Sequence, residues 1–223
     1  MRITTAIVTF LLTGAGVWLG AQAQDSSKEP PIRAVGLPPR ATPGDYQFHT
    51  QSGMLTMCAE FMGHGVPTEE GGPYSTENYV VLEAALYGAA GAKIQLSYKD
   101  FSLRMNGKKQ ILPAQPYVTV FPNLKDPEWE PSASERGAQA ETSISGAGGT
   151  QPDRTKNIPK MPMPLRHTME QRVLKASISE GERALPQAGL LFFEFHGETK
   201  TIRSMELVYS GSAGKATLAV QQP

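Results

Sequence analysis

The chain is predicted to fold as a mostly β, antiparallel sandwich or barrel with one packed amphipathic helix and a long disordered insertion. Three observations lead there: short apolar runs that alternate with period two, turn residues at close spacing between them, and one stretch of helical period that follows a Gly/Ser/Pro-rich interruption. Several short strands without alternating long helices favour antiparallel sheets over a parallel α/β fold.

The first segment is read as a leader. Met1 and Arg2 give a positive start, residues 6–19 are apolar, and Ala21 and Ala23 place small side chains at the −3 and −1 positions of a signal peptidase site. The apolar run is shorter than the roughly 20 residues a membrane-spanning helix needs and is diluted by Thr9, Thr13, Gly14 and Gly16. Residues 1–23 are therefore assigned to a signal peptide, with no membrane span after its cleavage. The secreted form is expected to start at Gln24, and mass spectrometry that finds Met1 to Ala23 still attached rejects this.

Residues 24–44 hold Pro30, Pro31, Pro38, Pro39 and Pro43 with few large apolar groups, and are read as a flexible tether. The β-sandwich domain occupies 45–223. One strand, 54–61, puts Leu55, Met57, Ala59 and Phe61 on the core face; another, 79–87, does the same with Val80, Leu82, Ala84 and Leu86, while Glu83 points the other way. Residues 101–105 are apolar at every second position and run into Asn106-Gly107, a pair that accepts the positive φ angles of a type I′ turn. A hairpin with a second strand over 108–112 is expected. Residues 131–164 are rich in Gly, Ser, Ala, Pro and charge, and form the mobile insertion. In the helix expected over 165–179, Leu165, Met169, Val173 and Ala176 recur on one face. Strands at 190–196, 202–209 and 215–220 close the domain.

The chain from about residue 46 to 220 resembles a group of uncharacterised exported bacterial proteins with an immunoglobulin-like β-sandwich core. The likeness is carried by Asp100-Phe101-Ser102-Leu103-Arg104, Asn106-Gly107-Lys108-Lys109, Leu124-Lys125-Asp126-Pro127-Glu128-Trp129, Met169-Glu170-Gln171-Arg172 and the closing hairpin over 202–218. It implies an immunoglobulin-like sandwich in the periplasm or outside the cell, and it implies no activity. Fold analogy does not supply a function.

Composition narrows the partners. The full chain has 21 basic and 21 acidic residues; loss of 1–23 removes Arg2 alone, leaving 20 against 21. So balanced a chain has no overall field to gather nucleic acid or an anionic membrane. Cys58 is the single cysteine, so no intrachain disulfide forms. Soft ligands raise a copper alternative, with Met54, Met57, Cys58, Met62 and His64 in one group and Met161, Met163, His167 and Met169 in another. On a strand, Met54, Cys58 and Met62 share a face at separations of about 13 Å, and Met57 points to the opposite side, so one ion does not reach them all. The second group reads as adaptable packing at a helix start.

Hydrolytic chemistry finds no pattern. There is no Gly-x-Ser-x-Gly elbow and no His-Glu-x-x-His helix; His49, His64, His167 and His196 stand singly, and Gly146-Ala147-Gly148-Gly149 lacks the Lys-Ser/Thr of a phosphate loop. No cofactor and no catalytic or metal-binding residue is assigned. Trp129, Lys125 and Tyr117 are the ligand-binding candidates, because an aromatic held between Pro127 and Pro131 reads either as a recognition anchor or as a lid over the core end. Tyr117, Val118, Val120 and Phe121, which lead into it, favour the lid. The expected function is a non-catalytic binding or assembly module of the cell envelope for a protein or ligand not specified by sequence. An envelope enzyme with a site built from distant residues is the alternative.

Overall fold

The structure, a computed structural model, describes residues 33–126, 129 and 161–220. The leader (1–23), the start of the tether (24–32) and most of the insertion (131–160) lie outside the described residues.

Eight strands make one antiparallel sheet in the spatial order β1 (Phe48–Ser52), β2 (Leu55–Gly63), β5 (Tyr79–Tyr87), β11 (Gln187–Glu194), β8 (Ile111–Gln115), β7 (Phe101–Met105), β12 (Met205–Gly211) and β13 (Gly214–Val220). The two edges approach each other: β1 runs beside β13, and the Ser52 hydroxyl donates to the Lys215 carbonyl at 2.8 Å. The sheet thus curls until its edge strands lie side by side, with no backbone ladder joining β1 to β13. A second sheet holds β3 (Gly65–Thr68), β4 (Gly71–Thr76) and β9 (Leu124–Lys125), and β6 (Lys93–Leu96) pairs with β10 (Gly181–Ala184). Two α-helices, α1 (Tyr117–Val120) and α2 (Met163–Ala176), complete the described chain together with short 3-10 turns.

Period-two alternation decides what fills the interior. Leu55, Met57 and Ala59 of β2, Val80, Leu82, Ala84 and Leu86 of β5, Phe101 and Leu103 of β7, Leu191 and Phe193 of β11, Leu207 and Tyr209 of β12, and Leu218 of β13 belong to one buried cluster, with Phe61 packed against it. The side chains meet across the sheet and fill it, as in small barrels. Strand β8 is the corner. Its Ile111, Leu112 and Pro113 pair with β7, whereas Ala114 and Gln115 pair with β11. It thus joins the four-stranded halves β1-β2-β5-β11 and β8-β7-β12-β13.

The outer face of β5 and β11 is covered too. Val81, Leu190 and Phe192 pack there against Met169, Val173 and Ala176 of α2 and against Val66, Tyr74, Val120 and Leu124. This double coverage is why β5 is buried along almost its whole length.

Four expectations shift. The tether is, in its described part 33–44, a strap on the sheet: Leu37 bridges Ala188, and the Gly36 amide donates to the Lys175 carbonyl at 2.9 Å. Asn106 and Gly107 do take φ of 53° and 64°, and the Lys108 amide donates to the Met105 carbonyl, so the type I′ turn forms. Yet the partner strand starts at Ile111, opposite Arg104, rather than at Lys108, and Asn106 also holds the chain entering β12: its Oδ1 accepts from the Arg203 amide at 2.7 Å and its Nδ2 donates to the Thr201 carbonyl at 3.1 Å. The helix starts at Met163, inside the assigned insertion, where Pro164 suits a first turn whose amides need no partner. It stops at Ala176, after which Ser177 bridges Leu190, and Leu165 is exposed because residues 162–168 extend beyond the covered face. Strand β11 starts earlier than 190, at Gln187, and carries Gly189 where a Cβ would stand 2.6 Å from the Ile178 Cα. Glycine is what lets the chain after α2 lie on this strand.

Candidate functional site

The segment from Tyr117 to Trp129 lies outside the filled interior. Pro116 starts α1, and the Thr119 amide and hydroxyl both donate to the Pro116 carbonyl, which tightens the turn. Tyr117 is half-buried, with its ring 5.6 Å from that of Phe121, and both flank the outer cluster. Val118 is 54% exposed, while Val120 is fully buried. Lys125, in β9, forms an ion pair with Glu77. Trp129 is 37% exposed; its amide donates to the Asp126 carbonyl at 3.0 Å, and it belongs to none of the buried clusters among the described residues. Val120 and Leu124, earlier in the chain, belong to the buried outer cluster.

A second constellation was invisible to motif reading. Glu60 and Glu83 stand directly opposite each other on β2 and β5, an arrangement of like charges that destabilises a sheet. Arg40 of the strap lies between them, paired with Glu60 and 3.3 Å from Glu83 Oε2. Burial alone would lower the Arg40 pKa, but the facing carboxylates of Glu83 and Glu60 outweigh it and hold the guanidinium above its ordinary value. Its carbonyl accepts from the Tyr87 hydroxyl at 2.7 Å, and its guanidinium sits 4.5 Å from the centre of the Tyr46 ring. Burial, assisted by nearby negative charge, raises both the Tyr46 and the Tyr87 hydroxyls. The cluster is a clasp: it neutralises a carboxylate pair and fastens residues 33–46 to the sheet.

Cys58 lies in the same outer layer with Tyr46, Ala85 and Ala188. It is fully buried, and burial pushes its thiol up to about 11. Since the thiolate is the nucleophile, native protein at pH 8 is expected to react with a disulfide reagent about 100-fold or more slowly than protein unfolded in urea. Equal rates would show that the strap does not cover the thiol. The copper grouping disperses in the same way. Met54 is 85% exposed, Met57 is in the interior and Cys58 faces outward, while Met169 is buried and Met163 is 72% exposed.

Two of the histidines that stand singly in sequence, His64 and His196, gather around the start of β5. His64 Nδ1 is 2.7 Å from the Tyr79 carbonyl and its Nε2 is 3.2 Å from the Gly197 carbonyl. His196 Nδ1 is 3.2 Å from Asn78 Oδ1 and its Nε2 is 2.9 Å from Glu194, while Asn78 donates to Asn123 Oδ1 at 2.7 Å. Only the pairing of β5 with β11 and the return of β9 bring these residues together. The one signal in the sequence was Glu194-x-His196, whose spacing puts both side chains on one side of an extended chain.

A cleft lined by Gly36, Leu37, Glu70, Arg172 and Lys175 measures about 20 Å³. That is room for about one water, against several hundred Å³ for a usual small-molecule site. Comparison of the chain with protein-family models, with curated proteins and with solved structures finds no match.

Proposed function

We propose that the chain is a non-catalytic binding or assembly module of the bacterial cell envelope, exported by its leader and acting through the Tyr117–Trp129 segment. The observation that carries the reading is the exposure of Val118 and Trp129 on a segment whose neighbours Val120 and Leu124 are anchored in the outer cluster. Large aromatic and aliphatic groups held on an anchored loop are the usual centres of protein recognition. The interior supports the same reading, because Met57, Leu82, Leu86, Leu103, Leu191, Phe193 and Tyr209 are buried and fill it. The envelope setting comes from the likeness to exported bacterial proteins carried by residues 100–109, 124–129, 169–172 and 202–218.

The test uses Trp129, which becomes the sole tryptophan once Trp18 leaves with the leader. In the secreted form its emission is expected to be quenched by iodide and to shift blue when envelope extract supplies the partner. Trp129→Ala, with Lys125→Ala as a second variant, should remove the specifically captured component. Capture unchanged in both variants, with no spectral shift, overturns the reading. An envelope enzyme is the second reading, favoured by the His64, Asn78 and His196 grouping. Residual hydrolytic activity abolished by His196→Ala and untouched by Trp129→Ala would select it.

A further inference from the structure

Charge balance over the whole chain conceals a local imbalance at one end of the sheet. By the ladder directions, β7 and β11 finish and β8 and β12 begin at the same end. Two of the loops there are 106–110 and 195–204, and Asn106 ties one to the other through the Arg203 amide and the Thr201 carbonyl. Lys108, Lys109 and Arg203 are all exposed on these loops, and no acidic group among the described residues bonds to them. The acids of this end are already engaged: Glu194 with His196, Glu198 with Lys200, and Glu206 with Arg104. Next to the lysines, Ile111 is 48% exposed.

We propose that this end is a peripheral docking surface for an anionic bilayer, with Lys108, Lys109 and Arg203 meeting lipid phosphates and Ile111 entering the headgroup region. A positive charge near an anionic leaflet contributes about 1 kcal/mol, about five-fold in partitioning, so three cations supply on the order of 100-fold. The cations lie on two loops rather than converging on one point, which fits a surface of many phosphates better than one bound phosphate. An apolar side chain beside basic residues is the pattern of interfacial binding. Asn106 holds the two loops together before contact, so little ordering is lost on docking.

The experiment is co-sedimentation of the full chain with phosphatidylcholine vesicles and with the same vesicles carrying roughly 30% phosphatidylglycerol. The leader carries Arg2 and a free amino group, so it adds the same anionic preference to every variant and cancels in the comparison between variants. Partitioning is expected to be on the order of 100-fold stronger on the anionic vesicles and to fall steeply with salt. The triple variant Lys108→Ala, Lys109→Ala, Arg203→Ala should lose that preference, while Lys99→Ala with Lys215→Ala at the opposite end keeps it. Ile111→Ser should weaken binding a few-fold, by about the worth of its methylene groups, and leave the salt slope unchanged. Equal partitioning into both vesicles overturns the proposal, as does a folded triple variant that still prefers phosphatidylglycerol. Abolition by millimolar inorganic phosphate at constant ionic strength would replace it with a discrete phosphate site.

Discussion

Leu207→Ala is expected to lower the free energy of unfolding by about 2–5 kcal/mol, read as a shift in urea midpoint at unchanged slope. Leu207 is fully buried on β12 and stands opposite Leu103 on β7 and Leu218 on β13, so three leucines form one row across the interior. The closed sheet leaves them little freedom to collapse into the space, which places the cavity cost at the upper part of the range. Glu206, one residue earlier, faces outward and pairs with Arg104 at 2.6 Å, with both side chains more than a third exposed. Glu206→Ala should therefore change stability by roughly 0.5 kcal/mol or less. Equal losses from the two substitutions would mean that β12 is turned over.

Arg40→Met is the other large expected effect, about 2–3 kcal/mol at pH 7. Removing one partner of a buried ion pair costs about 3–5 kcal/mol, and the lower figure applies because Arg40 and Glu60 remain about a third exposed. Glu83, 7% exposed, is left facing Glu60 with no cation between them. Urea unfolding of both proteins at pH 7 measures the difference. Adding Glu83→Leu to Arg40→Met should restore much of the loss, because an apolar side chain replaces an unpaired buried charge. No recovery in the double variant would mean that Arg40 acts only through its backbone hold on Tyr87.

Much of the interior was legible in the sequence, because period-two alternation is a local property. Phe101, Leu103 and Met105 must share a face whatever their partners are, and so must Val80, Leu82, Ala84 and Leu86. Asn106 and Gly107 likewise carry their positive φ angles as an intrinsic preference, which is why the turn was read correctly. Alternation is silent about what covers the opposite face. Glu83 and Cys58 were assigned outward, and outward they are. They are nonetheless buried, because the strap around Arg40 crosses β2 and β5, and nothing in the strap's proline-rich composition announces that contact. The candidate recognition segment is legible from Trp129 and its prolines, whereas the burial of Val120 and Leu124 beside the exposed Val118 follows from the outer cluster.

The sequence by itself determined that the chain is mostly β and antiparallel, where its main turn lies and which side chains fill the interior, since each of these follows from local spacing and backbone preference. Only the tertiary structure decided that β8 serves both halves of the sheet, that Arg40 clasps two opposed glutamates, that His64 and His196 gather at the start of β5, and that Asn106 ties its turn to the chain entering β12. Those outcomes depend on contacts between segments distant in sequence, whose free energy is gained only when the chain closes on itself, and no local pattern encodes them.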